Sequence, residues 1–190
     1  MHWRDRTQRR PAYNDPGHAH ELTFSCFRRY KLLGADRTRE WFADAANAAR
    51  IEFDFAIWAY VLMPDHAHVL IWPRRLGYDI SRILGRMKEP VGRKALRFLR
   101  EHAPQWVETL SVTHGTRTES HFWQPGGGYD RNATENRTLQ SMVEYIHNNP
   151  VRAGLVGRAE DWAWSSAGWV AGNEPNSLKP DPMPMELGFA

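Results

Sequence analysis

Residues 20–27 alternate between apolar and polar, with Leu22, Phe24 and Cys26 on one side. A period of two predicts a half-buried strand. The period then lengthens. Trp41, Phe42, Ala45 and Ala49 recur at helical spacing, and Asp36 is a suitable N-cap, so a helix is expected to about Arg50. Residues 53–62 are rich in β-branched and aromatic side chains and predict a second strand. Met63-Pro64-Asp65 reads as a turn, and residues 66–72 as a third strand paired back across it. Residues 79–101 are helical in pattern, with Pro90 and Gly92 expected to kink or divide the helix. Residues 103–120 are polar and irregular. Phe122-Trp123-Gln124 reads as a short edge strand before the loop Pro125-Gly126-Gly127-Gly128. The next helix has Asn132 as N-cap and Glu135 completing a capping box. Its core stripe is Leu139, Met142, Val143 and Ile146, and it ends near Pro150.

The order β-α-β-β-α-β-α approximates the ferredoxin-like pattern. An α+β sandwich follows, with one antiparallel sheet and helices packed on one face. Residues 20–171 form this domain. Residues 1–19 read as a polar, basic arm, and residues 172–190, with four prolines and few apolar positions, as a flexible tail.

Composition narrows the picture. The chain has 190 residues, 42% of them hydrophobic, which suits one folded domain. Its longest uncharged apolar run, residues 55–64, is about half of a bilayer crossing, and no secretory signal is evident. The single cysteine, Cys26, excludes an internal disulfide and a multi-cysteine zinc site, so a cytoplasmic location is expected. The net charge of +3 is uneven. Residues 74–100 hold nine cations against Asp79 and Glu89. Such a stripe marks either a polyanion partner or a solvated helix face.

Two constellations suggest chemistry. In a strand, His66 and His68 point to the same side, so two neutral imidazoles can chelate one divalent ion. A hydrogen-bonded pair at a sheet edge has the same spacing. His18-Ala19-His20 repeats the three letters at the ragged start of a strand, where nothing rigid holds both rings. The second constellation lies on the last helix. At about 100° per residue, Tyr145 sits roughly 110° from the centre of the apolar stripe, which also describes a boundary tyrosine. Asn149 is about 40° from Tyr145, one turn on, while His147 is about 160° away. Asn149 is therefore the better partner for a site containing Tyr145.

Three motifs occur in order: Tyr-Val-Leu-Met-Pro-Asp-His-Ala-His-Val-Leu from Tyr60, Phe-Trp-Gln-Pro-Gly-Gly-Gly-Tyr-Asp-Arg-Asn from Phe122, and Tyr-Ile-His-Asn-Asn-Pro-Val-Arg-Ala-Gly-Leu-Val from Tyr145. With them the chain resembles the REP-associated tyrosine transposases, single-tyrosine members of the HUH (His-hydrophobic-His) endonucleases. The resemblance runs from about residue 20 to 169. It implies a ferredoxin-like fold, one Mg²⁺ or Mn²⁺, and cleavage of single-stranded DNA near imperfect hairpins through a covalent 5′-phosphotyrosine. It maps the metal ligands onto His66 and His68, the third ligand position onto Asn149, and the nucleophile onto Tyr145. The loop at Gly126-Gly127-Gly128 is more glycine-rich than the family pattern.

The DNA strand is expected along Arg74, Arg75, Arg82, Arg86, Lys88, Arg93 and Lys94, with Arg152 after the tyrosine helix. Trp72, Trp123 and Trp164 are either base-stacking or core residues. The protein is expected as a monomer or homodimer. Two other functions fit the composition. A non-catalytic single-stranded nucleic-acid binder would need aromatics open to solvent on central strands. A zinc hydrolase would need an acidic base beside the histidines.

Overall fold

Strand alternation sorts the side chains of this protein into two layers, and each layer has its own helices. The computed structural model describes residues 14–174 and 176–184. Along them run β1 (Ala19–Ser25), α1 (Asp36–Phe53), β2 (Phe55–Leu62), β3 (His66–Pro73), α2 (Ile80–His102), α3 (Pro104–Thr109), β4 (Ser111–His114), β5 (Arg117–Ser120), β6 (Tyr129–Ala133), α4 (Asn136–Arg152) and α5 (Ala167–Val170). The main sheet has the order β2-β3-β1-β6, antiparallel throughout. This is the ferredoxin-like arrangement, with the hairpin β2–β3 folded beside β1.

On one face, Leu22 and Phe24 of β1, Tyr60 and Leu62 of β2, and Ala67, Val69 and Ile71 of β3 pack against α1 and α2. Ile83, Met87 and Val91 are the α2 side of this core, and Phe42 and Ala46 the α1 side. Full burial of one such side chain contributes about 1.5–3 kcal/mol. The other face carries Ala19, Trp58, Val61 and Leu70, which meet Leu139, Met142, Val143 and Ile146 of α4. The sheet therefore has helices on both faces, where the sequence suggested one. Alternation on β1 misleads because Glu21, Thr23 and Ser25 read as a solvent side, yet this is the layer that α4 covers.

Several boundaries differ from expectation for local reasons. Asp79 caps α2 by accepting from the backbone N–H groups of Ser81 and Arg82. The helix then runs unbroken through Pro90. Gly92 faces the side chains of Phe122 and Trp123, which lie 3.6–3.7 Å from where a Cβ would stand, an ordinary packing distance. Residues 103–120 are ordered as α3 and the hairpin β4–β5. Hydroxyl pairs Ser111–Ser120 (2.8 Å) and Thr113–Thr118 (2.9 Å) zip the hairpin, and Gly115, at φ +61°, opens its two-residue turn. Trp123 makes only an isolated bridge to Cys26. The true fourth strand is β6, polar in sequence and paired to β1 through its backbone. Asn132 thus lies in a strand, and Glu135 is the N-cap of α4 without a side-chain capping bond.

The expected flexible tail also folds back. Leu178 is fully buried, and Asp181 binds the edge strand twice, its backbone N–H to Ile57 O (2.7 Å) and its carboxylate to Ile57 N (2.8 Å). Most of the expected basic arm, residues 1–13, lies outside the described residues.

Candidate active site

His66 and His68 open β3 just after the turn at Pro64-Asp65, and both point into the α4 layer. Their ring centroids are 5.0 Å apart. The apolar stripe of α4 docks that helix on β2 and β3 and fixes its rotation. Tyr145 then comes down beside the pair, its ring centroid 5.4 Å from that of His68 and nearly perpendicular to it. The tyrosine remains 40% exposed, so a large substrate can reach it. Two motifs from distant parts of the sequence thus meet at one place.

Each histidine is gripped through Nδ1. Asp65 Oδ1 lies 2.7 Å from His66 Nδ1, and the other carboxylate oxygen faces Arg29 at 3.4 Å. Thr23 Oγ1 lies 2.8 Å from His68 Nδ1, with Glu21 Oε1 at 3.5 Å. Burial holds the His66 imidazole below its ordinary pKa, against the opposing pull of Asp65. The neutral ring is the form that binds a cation. Among the described residues no hydrogen bond reaches the Nε2 atom of either ring. The donor chemistry therefore fits one divalent ion, with an Nε2 left unbonded on each of two neighbouring rings, one of them beside Tyr145. No cluster of three His, Cys, Asp or Glu side chains exists among the described residues, so further coordination has to come from an amide, water or substrate oxygen.

Asn149 lies one turn beyond Tyr145, and its Nδ2 donates to Tyr145 O at 2.8 Å. The carboxamide oxygen is left as the available donor. Arg152 sits at the same end, its guanidinium 5.1 Å from the Tyr145 ring centroid. His147 faces elsewhere. Its Nε2 meets Ser166 Oγ at 2.8 Å, and burial pushes its pKa down to about 4.

The basic stripe is not gathered here. α2 belongs to the opposite layer, across the sheet from the histidines. Several cations of the stripe have acidic partners: Arg74 and Arg75, just before α2, face Asp54, and on α2 Arg86 binds Glu52 (2.7 Å) and Lys94 faces Asp44 (3.6 Å). Arg82 lies over the Phe53 ring, and Lys88 turns in to donate to Gly126 O. Arg93 is exposed on the same helix. Trp123 and Trp164 are core residues with bonded indoles, and Trp72 stacks on Trp58.

Sequence reasoning passed over Glu21, Thr23 and Arg29. Their signal was the polar side of the first strand, Glu21-x-Thr23-x-Ser25, in register with the third: Thr23 stands opposite His68 and Ser25 opposite His66. The loop before β6 is held close by Gly128, at φ +80°, where a Cβ would lie 2.3 Å from Thr23 O. Only glycine lets the loop cross that tightly.

Comparison with known proteins adds an independent line. A family profile described as "Transposase IS200 like" matches residues 17–149. A REP-associated tyrosine transposase of Haemophilus influenzae is 22% identical over 144 residues, covering 72% of this chain and 77% of that protein. A solved structure of a REP-associated tyrosine transposase bound to a REP hairpin superposes with a TM-score of 0.64 at 22% identity, covering 95% of this chain and 96% of the other.

Proposed function

Because the chain belongs to the IS200-like transposase family, an enzyme class that acts on DNA, we propose that it cuts and rejoins single-stranded DNA with Tyr145 as nucleophile, beside a divalent ion held by His66 and His68. The observation that supports this most is the Tyr145 ring set 5.4 Å from His68 on the covered face of the sheet. A bystander tyrosine at a helix boundary has no reason to sit there.

The two Nε2 atoms and the Asn149 carboxamide oxygen would hold Mg²⁺ or Mn²⁺. The bound ion supplies a positive charge that polarises the scissile phosphate. All three protein donors are neutral, so they leave that charge undiminished. A phenol has an ordinary pKa of about 10 and is a weak nucleophile until it loses its proton. Arg152, its guanidinium 5.1 Å from the Tyr145 ring centroid, would add a second positive charge near the reacting groups. The Tyr145 oxygen attacks phosphorus, the bond to the 3′ oxygen breaks, and the phenolic proton is exchanged for one on the leaving 3′-OH. The phosphodiester energy is retained in the 5′-phosphotyrosine, so another 3′-OH can reverse the step.

The substrate we propose is single-stranded DNA beside a hairpin, the kind of element bound by the superposed relative. Since α2 lies across the sheet, its unpaired cations would contact duplex or flanking strand away from the cut, leaving Arg152 at the centre. A passive nucleic-acid platform agrees less well with the fold. The aromatics of β1 and β2, Phe24 and Tyr60, are buried, and helices cover both faces of the sheet. A zinc hydrolase is disfavoured because Asp65 and Glu21 stand on the Nδ1 side of the histidines, not where a water would be activated.

Tyr145→Phe tests the assignment. It keeps the ring against His68 and removes only the nucleophilic oxygen. The variant should fold, bind hairpin DNA, and form no covalent adduct on a denaturing gel. In the native protein, label 3′ of the cut should travel with the protein. An adduct that persists in Tyr145→Phe would assign the attack to another residue, Tyr129 first, since it is exposed on β6 opposite Thr23.

A further inference from the structure

Glu21 is a carboxylate with 4% of its surface exposed, on the face of the sheet that α4 covers, where Leu70 stands opposite it and Thr23 and His68 are its polar neighbours. Burying a carboxylate is costly unless it answers a specific partner. Its Oε1 is 3.5 Å from His68 Nδ1, the atom that also meets Thr23 Oγ1 at 2.8 Å. Those two neighbours differ in what they permit. A threonine hydroxyl can donate or accept, so alone it allows His68 to carry its proton on either nitrogen. A carboxylate only accepts, and so requires the proton on Nδ1.

We infer that Glu21 is a positioning residue that, through the shared contact with Thr23, fixes His68 as the Nδ1–H tautomer with Nε2 bare towards Tyr145. His66 has the matching device on its other side: Asp65 accepts from its Nδ1 and is itself steadied by Arg29. Both imidazoles are thereby presented in the one tautomer in which a pair of Nε2 atoms can bind a single cation. Outer acceptors of this kind orient a ligand ring and raise its basicity, and losing one typically lowers metal affinity about 10–100-fold. A purely structural role for Glu21 would run through Arg131, its cross-strand neighbour on β6, and would leave the His68 ring indifferent.

This inference rests on the metal-dependent reading above, but its first measurement needs no metal. Imidazole ¹⁵N chemical shifts of the metal-free protein report the tautomer of His68 directly. The native protein should show Nδ1–H, and an Nε2–H signal would overturn the inference whatever any variant does. In Glu21→Gln, whose amide can donate as well as accept, the His68 signals should move towards a mixture, with Mn²⁺ affinity down about 10–100-fold by titration. Glu21→Asp should recover part of both. Arg131→Gln should change neither, and an effect as large as that of Glu21→Gln would return Glu21 to a structural role. His68→Ala is the separate control. If it binds Mn²⁺ as well as the native chain, the metal reading fails while the tautomer result still stands. If it abolishes binding while Glu21→Gln leaves tautomer and affinity unchanged, Glu21 has no such role.

Discussion

The chain contains His-Ala-His twice, and the two copies have opposite fates. At residues 66–68 each ring is engaged at Nδ1, and no hydrogen bond reaches Nε2 among the described residues. At residues 18–20 the second ring is engaged at both ends. His20 is fully buried in the α1–α2 layer, Nδ1 against Asp130 Oδ1 at 2.9 Å and Nε2 against the Tyr78 hydroxyl at 2.7 Å. His18 precedes β1 and approaches Asp15 at only 4.0 Å. Identical spacing therefore leaves a pair of rings with Nε2 unbonded in one place and makes a structural tie in the other. The difference is made by the neighbours: a histidine with one nitrogen held is a preorganised donor, and one with both held is a strut.

The largest effects should come from exchanging these roles. His68→Ala should remove cleavage by three orders of magnitude or more in single-turnover assays with saturating Mn²⁺, while hairpin binding persists. His20→Ala should do the reverse. It leaves the largely buried Asp130 without its partner, at a cost on the order of 3 kcal/mol, or about 10 °C in Tm. Cleavage per folded molecule should stay within about threefold, since His20 has no nitrogen to offer a ligand. A His20→Ala protein that melts normally but cannot cut would dissolve the distinction.

A smaller effect sharpens the same contrast on α4. Asn149 keeps one end of its amide on the helix and offers the other, as His66 and His68 do with their rings. Asn149→Ala should weaken Mn²⁺ binding about 10–100-fold, with excess Mn²⁺ restoring most of the cleavage. His147→Ala should restore nothing and need no restoring, because its ring faces Ser166. Cleavage measured against Mn²⁺ concentration separates them: a rightward shift for Asn149→Ala and superimposable curves for His147→Ala and the native chain.

These contrasts also mark what the sequence could disclose. The β-α-β-β core, the shared face of His66 and His68 and the flank of Tyr145 were legible, because each depends on a local period of two or 3.6 and on apolar stripes that persist in the fold. Strand β6 was not. Asp130, Arg131 and Asn132 have poor strand propensity, and they pair only because β1 presents a free edge. The layer assignment was equally hidden. Glu21 and Thr23 look like solvent positions until α4 is known to lie over them, and nothing in the spacing of the α2 cations shows that the sheet stands between them and the tyrosine. Both are facts of tertiary placement, which no spacing along one element records.

Lys88 gives the smallest expected effect, and it tests the layer that the tyrosine does not share. The sequence assigned it to DNA. In the fold its ammonium donates to Gly126 O at 3.0 Å and lies 5.5 Å from the Phe24 ring centroid, and burial pulls its pKa down to about 8. An unfolded lysine titrates near 10.5. Below pH 8 both states hold the proton, and the folded state bears the full cost of burying the charge. Between pH 8 and 10.5 the folded protein releases it first, so the unfolded chain binds more protons and stability rises with pH. Lys88→Met lacks that dependence. It should be more stable than the native chain at pH 7, by about 1–2 kcal/mol once the lost bond to Gly126 is allowed for; because the native chain regains about 3 kcal/mol by pH 10.5, the advantage should vanish near about pH 9 and reverse above it. Cys26, raised to about 12 by burial, also titrates differently in the two states, but it does so in both proteins and cancels from the difference. Urea unfolding of the pair across pH 7–10.5 measures it. Cleavage by Lys88→Met should match the native rate, because the lysine lies on the far side of the sheet from Tyr145; a variant that is stabilised as expected yet cuts poorly would bring the glycine loop, and the α2 layer behind it, back into the DNA path.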